Sequence, residues 1–355
     1  MLASLVPMVA GFTPAARSSL LIVSPHRCFR RTAAVFMPEG PECTLHAERL
    51  NAACGGRKIV RAEILSGRYL GNGPIAGRAS PPDRWAILQQ ALPLTIGTVL
   101  SKGKFIFWSF NDSRLTLWST LGMTGAWSLT PSEHARIRLD LAEDAGALTW
   151  PLYYNDQRNF GTITVCDDEA ELERKLGSLG PSWLAPGGLP IDDFLTIAQR
   201  QCATKRSAAV PLAKFLMDQG KTSGIGNYIL SETLYLSRVH PFARCGDLDE
   251  VDWERVHAAA CDVISRSYNS QRALADKQAE QAAAAAQAAQ AAAGEAGGGA
   301  RSLSATRGTT FTFELHVFRR STTADGLRVR KDEGPHKRSV YWVPERQLRG
   351  RPDES

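Results

Sequence analysis

The sequence lacks what would fix a metal, a membrane span or a secreted framework. Its seven cysteines (28, 43, 54, 166, 202, 245 and 261) never form a Cys-x-x-Cys pair. That argues against a zinc finger and a disulfide scaffold, and suits a reducing compartment. No cysteine follows Cys261. No apolar run is long enough to cross a bilayer. Residues 1–36 hold no Asp, Glu or Lys, only Arg17, Arg27, Arg30 and Arg31 among several serines. This is the make-up of an organellar transit peptide; the other reading is a gene whose true start is Met37. Four of the six net positive charges fall in that leader, so overall charge does not argue for nucleic acid and any basic surface must be local. With 43% hydrophobic and 22% charged residues over 355 positions, the chain is long enough for two domains with cores of their own. The expected location is the nucleus or an organelle, mitochondrion or chloroplast, and not the secreted space.

What is present begins at Met37-Pro38-Glu39-Gly40-Pro41-Glu42. If translation starts at Met37 and the Met is trimmed, Pro38 becomes a free secondary amine. An α-amino group titrates near ~8, well below lysine, and an unprotonated amine can attack a sugar carbon and form a Schiff base. Glu39 is placed to move protons at the same centre. The plainer reading is that Pro38 and Pro41 open a helix. An uncut leader would turn the Pro38 nitrogen into an amide, which forms no imine.

A helix is expected over 41–54, with Gly55-Gly56 as its stop. Short β-like runs follow at Ile59–Leu65, Val99–Phe110, Arg114–Trp118 and Arg136–Leu141, the last alternating cleanly between apolar and polar residues. Such runs suggest a β-sandwich. Near Gly180-Pro181 the pattern turns helical, with helices expected at Asp192–Gln201, Pro211–Gln219 and Tyr228–Ser237. Residues 271–308 are rich in Ala, Gln and Gly. They read as a tether without chemistry, partly an exposed helix ended by Gly297-Gly298-Gly299. Phe311–Val317 alternates like a strand, a turn is expected at Asp325-Gly326, and Val340–Val343 would complete a hairpin.

Several short stretches could carry chemistry. In Ser101-Lys102-Gly103-Lys104-Phe105, Lys104 follows a glycine and can present its ammonium to a phosphate; a solvated charge is the plain alternative. Leu121-Gly122-Met123-Thr124-Gly125 reverses sharply and carries Met123 on a tip, where it can wedge into a base stack or simply be core. In Thr222-Ser223-Gly224-Ile225-Gly226-Asn227 the glycines bring backbone N–H groups to a helix N-terminus, a ready phosphate site that Asn227 can join. Glu42 and Glu232 are acidic neighbours that either tune the amine or are surface carboxylates.

Together these motifs resemble the formamidopyrimidine-DNA glycosylase / endonuclease VIII family. The resemblance covers about 37–245 and 309–348, with six separated motifs in family order. Asp156-Gln157-Arg158-Asn159-Phe160-Gly161 is similar to the family's Asp-Pro-Arg-Arg-Phe-Gly, with Gln157 and Asn159 as departures that imply a looser loop. Thr120 stands where one branch has His. The resemblance implies that Pro38 is the nucleophile, Glu39 the proton carrier and Lys104 an essential contact to the lesion phosphate. Arg158 and Phe160 would fill the space left by a flipped-out base, Asn227 would grip a phosphate, and Arg338 would be the finger arginine. The C-terminal hairpin resembles the finger that normally holds zinc, here with Val343 and Arg346 where the second Cys pair would stand. That implies a zincless finger packed by Tyr341-Trp342, as in some viral, plant and animal members.

The expected fold is therefore α+β. Residues 1–36 are a leader, 37–175 a catalytic β-sandwich domain, 176–270 a helix–two-turns–helix domain, 271–308 the insert, 309–348 the finger and 349–355 a tail. The expected activity is that of a bifunctional DNA glycosylase/AP lyase in base-excision repair, a monomer acting on double-stranded DNA with oxidised bases or abasic sites, with no metal, cofactor or membrane. The rival is a non-catalytic damaged-DNA binder, should the leader stay attached to Pro38.

Overall fold

In the computed structural model, residues 38–70, 80–144, 148–293 and 314–350 are described, with the backbone alone at 278–279 and 282–293. The chain enters through α1 (Gly40–Cys54), whose inner side (Cys43, Ala47, Leu50, Cys54) is buried. Next come β1 (Lys58–Ile64), α2 (Trp85–Ala91), β2 (Leu94–Lys102), β3 (Phe105–Phe110), β4 (Ser113–Thr120), β5 (Gly125–Ser128), β6 (Ala135–Ala142), β7 (Trp150–Asp156) and β8 (Thr162–Cys166). These pair in the order β5-β7-β6-β1-β2-β3-β4-β8, with every neighbouring pair antiparallel. The β1–β2 link is only two residue pairs long, Lys58–Thr95 and Ile59–Leu94, so the sheet folds there into two four-stranded halves. Their apolar faces meet in one core, with Ile137, Leu139 and Leu152 from one half and Ile106, Trp108 and Leu117 from the other. Trp108 and Trp127 touch across it with ring centroids 5.3 Å apart. This is the expected sandwich, and its alternating strands supply one buried face each.

The run expected as one strand over Val99–Phe110 is two. Gly103 takes a left-handed φ of +57°, and the chain doubles back so that Lys102 pairs with Phe105. Periodicity alone does not register a reversal when both arms are apolar.

After α3 (Glu169–Gly177) the second core gathers around α4 (Ile191–Cys202), α5 (Lys205–Ala208), α6 (Leu212–Met217), α7 (Asn227–Ser237) and α8 (Glu250–Ala293). Phe194, Phe215, Tyr228, Leu234 and Trp253 are its large members, joined by Phe318 and Val340 from the C-terminal segment. α7 is buried nearly all round, as a central helix must be. α8 corrects the boundary set at 271: it runs unbroken for 44 residues, and Gln271 is a buried contact rather than the start of a tether.

The finger also differs from expectation. Residues 311–313 lie outside the described residues, and 314–317 form no strand. The hairpin is β9 (Arg330–Glu333) paired with β10 (Ser339–Trp342). The turn near Asp325-Gly326 is present, closed by Gly326 N–H to the Thr323 carbonyl at 3.1 Å. Val343 is fully buried with Val317, Val329 and Tyr235, Trp342 Nε1 donates to Asp332, and Arg346 donates to Tyr235 Oη at 2.7 Å. The positions where a second Cys pair would stand are thus filled by an apolar contact and a guanidinium–phenol bond.

Candidate functional site

Pro38 is buried just ahead of α1. Pro41 occupies the first helical turn, where a missing N–H costs nothing. Glu39 is the N-cap in extended backbone, and its N–H donates to the Glu42 carboxylate at 2.8 Å. The Glu39 side chain leaves its own helix. Only 2% exposed, it accepts N–H bonds from Gly226 (2.9 Å), Tyr228 (2.9 Å) and Ile229 (3.2 Å). Those are orphan donors at the start of α7, where the helix dipole favours a negative charge. Gly40 N–H also donates to the Gly224 carbonyl at 2.9 Å. The entry of the first domain is therefore fastened to the glycine loop of the second.

Lys104 reaches the same spot. A Cβ added at Gly226 would meet Glu39 Cδ at 2.3 Å and Lys104 Nζ at 2.4 Å, so acid and ammonium share the space that the glycine leaves open. The left-handed Gly103 turn sets Lys104 there by packing on Ser223 and Gly224. Burial raises the Glu39 carboxyl to about 7, with the Lys104 charge opposing and Glu42 adding to the rise. Burial likewise lowers the Lys104 ammonium; Glu39 counters that, and Arg338 lowers it further. Asn227 Nδ2 donates to the Ser339 carbonyl at 2.8 Å, tying the start of α7 to the residue after exposed Arg338. Pro38, Glu39, Lys104, Asn227 and Arg338, chosen from four separate stretches of sequence, thus meet at one place. The arrangement offers cations for phosphate and a carboxyl that both gives and takes protons near neutrality.

Glu42 is held in part by groups that the sequence did not single out. Besides Glu39 N–H, it accepts from Tyr228 Oη at 3.0 Å and from Gln271 Nε2. Ser267 Oγ lies 2.9 Å from the same phenol. Burial raises the Glu42 carboxyl, and the Gln271 amide is the strongest influence holding it down. Nothing marked Ser267 or Gln271 in the sequence, since both look like ordinary helix residues. Glu232, 1% exposed, has a different task from tuning an amine. It accepts the N–H groups of His316 (2.7 Å), Val317 (2.9 Å) and Phe318 (2.8 Å), and so anchors the finger to α7.

A second group forms at two loop tips. Met123 follows Gly122, whose φ is +57°, and Arg158 Nη1 lies 3.3 Å from Met123 Sδ. Phe160 is 59% exposed. Asp156 organises both tips: its carboxylate accepts from Thr124 Oγ1 at 2.5 Å, Arg158 N–H at 3.2 Å and Gly161 N–H at 2.8 Å. Thr120, in place of His, bonds Thr162 across the strand pair at 2.8 Å.

Comparison with known proteins gives a consistent match. The family model of the formamidopyrimidine-DNA glycosylase N-terminal domain matches residues 37–163, and that of its H2TH domain matches 189–278. A formamidopyrimidine-DNA glycosylase of Lactiplantibacillus plantarum is 29% identical over 223 residues, 61% of this chain and 73% of the relative. One from Arabidopsis thaliana is 27% identical over 246 residues, 65% of this chain and 58% of the relative. Among solved structures, Lactococcus lactis formamidopyrimidine-DNA glycosylase bound non-covalently to DNA with an AP site is similar with a TM-score of 0.63 and 19% identity, covering 87% of this chain and 99% of that one. Two family models in the right order, the two-domain fold and the junction they build around Glu39 lead to one conclusion: this chain belongs to the formamidopyrimidine-DNA glycosylase / endonuclease VIII family of DNA glycosylases.

Proposed function

We propose that the protein excises oxidised bases from double-stranded DNA and then cleaves the abasic strand, with the Pro38 amine as nucleophile. The observation that carries this reading is the Glu39 carboxyl, fixed on three amides one residue after Pro38 and titrating near 7. Lys104, Asn227 and Arg338 hold the lesion-flanking phosphates. Met123, Arg158 and Phe160 occupy the gap as the damaged base swings out.

The amine, freed when translation starts at Met37 and the Met is removed, attacks C1′; the base leaves with the C1′–N bond electrons and takes up the proton that the amine sheds. Protonated Glu39 supplies the proton that opens the sugar ring, and the nitrogen lone pair completes the imine. The imine acidifies the C2′ proton. β-Elimination expels the 3′ phosphate, and δ-elimination then expels the 5′ phosphate. Lesions read best as ring-opened purines, hydantoins and oxidised pyrimidines, with 8-oxoguanine weak; a lesion panel ranks them.

The test uses protein produced from Met37. Borohydride with abasic DNA should trap a covalent complex, and Pro38→Gly should weaken it. No adduct with that form would sink the lyase reading and leave a non-catalytic binder of damaged DNA.

A further inference from the structure

The loop that carries Arg158 and Phe160 is gripped from below by two arginines. Arg136, 9% exposed, donates Nε to the Asp156 carbonyl at 2.8 Å, Nη2 to the Gln157 carbonyl at 3.5 Å and Nη1 to Ser66 Oγ at 2.9 Å. Arg68 Nη1 donates to the Asn159 carbonyl at 3.5 Å and the Gly161 carbonyl at 3.4 Å. Four of the six carbonyls of 156–161 therefore point at a guanidinium. Among the described residues neither guanidinium is in an ion pair, and most of their hydrogen bonds go to backbone carbonyls of this loop. Gly67, with φ +81°, lies between them; a Cβ there would meet Asn159 Oδ1 at 2.6 Å and Arg136 Cδ at 2.7 Å.

The loop needs such support. Asn159 sits in left-handed backbone at φ +55°, and its Oδ1 is buried with no hydrogen-bond partner among the described residues. Gln157 leaves the turn without the fixed φ that a proline would bring. A strained tip persists only where its surroundings over-determine it. Here the surroundings are the Arg136 fork, which bridges the successive carbonyls of 156 and 157 with two nitrogens as a lysine ammonium does not, and Arg68, whose Nη1 reaches the carbonyls of 159 and 161.

We propose that Arg136 and Arg68 are positioning residues. They hold Arg158 and Phe160 at a fixed height in the gap, and through that set the selectivity for the base opposite the lesion. This rests on the gap-filling role given above to Arg158 and Phe160. Preorganisation of a recognition loop is worth most where a shift of about 1 Å costs ~100-fold.

The experiment measures single-turnover excision of one lesion opposite each of the four bases, for wild type, Arg68→Lys, Arg136→Lys and the double variant. Borohydride trapping on a single-stranded abasic oligonucleotide, which has no opposite base, runs beside it. The double variant should lose about 10- to 100-fold opposite the preferred base and narrow the spread among opposite bases to about threefold. Single-strand trapping should change far less. Arg158→Ala serves as the reference. If it leaves the spread intact, the gap-filling reading fails; if it flattens the spread while the lysine variants keep it, the positioning proposal is overturned. A wild type with no spread also overturns it. Should Arg136→Lys fail to fold in a thermal melt, half-buried Arg68→Met, which removes the donor, carries the test alone.

Discussion

Replacing Gly226 by alanine adds one carbon to the wall shared by Glu39 and Lys104. The backbone there tolerates any residue, with φ at −128°, so the whole effect is local crowding. The new Cβ would lie 2.3 Å from Glu39 Cδ, 2.4 Å from Oε1 and 2.4 Å from Lys104 Nζ, about 1 Å inside normal van der Waals separation. Glu39 cannot yield without stretching its bonds to the Tyr228 and Ile229 amides. Overpacking of this kind costs about 1–3 kcal/mol of stability, and a displacement of about 1 Å at a reacting group costs ~100-fold in rate. The assay is single-turnover excision together with borohydride trapping, with urea unfolding to score stability. Gly177→Ala, at the end of α3 with nothing within 4 Å of the added carbon, controls for the substitution itself. A Gly226→Ala protein within about twofold of wild type in rate would refute the idea that this junction is the reacting centre.

Three further outcomes are expected. Between pH 4.5 and about 7 the folded protein holds a proton on Glu39 that the unfolded chain has released, so this group's contribution to stability falls as pH rises, by about 3 kcal/mol over the window. His46, lowered to about 4 by burial and accepting the Trp127 N–H at 2.7 Å, acts in the opposite sense from about 4 to 6.5, so the measurement is the difference between wild type and Glu39→Gln in urea melts across pH; a pH-independent difference would contradict the burial argument. Excision that needs protonated Glu39 should decline above about pH 7, and Glu39→Gln should abolish that limb of the rate profile. Glu232→Ala should strand the three amides of 316–318, costing about 3 kcal/mol and speeding their hydrogen exchange, while unchanged exchange would remove the anchoring role.

The sequence made some of this legible and hid the rest for physical reasons. α1 was readable from its prolines and its Gly55-Gly56 stop and α4 from its 3.6-residue periodicity, both local signals, and the clean alternation of Ile137, Leu139 and Leu141 marked β6. The reversal at Gly103 and the strand status of 330–333 were not, because a mostly charged stretch such as Arg330–Glu333 becomes a strand only through its partner β10. Candidate residues in short glycine-bearing motifs were visible. Their supports were not: Gln271 lies 229 positions from Glu42 and Arg136 looked like one more polar residue on an alternating strand. Glu232 was noticed for its charge and misplaced in role, since nothing local says that a carboxylate will collect backbone amides 84 to 86 positions downstream.

The docking of Glu39 onto the start of α7 has a consequence for how the molecule comes to exist at all. The acid that adjoins Pro38, the proposed nucleophile, is seated by a helix made some 187 to 190 residues later. During synthesis, then, Pro38 and Glu39 are made long before the helix that seats the acid, and the pair stays incomplete until the second half has been made and has closed over it. A severed amino-terminal half would keep the nitrogen but leave its neighbour loose in water with an ordinary acidity, so competence belongs to the joined halves and to neither alone.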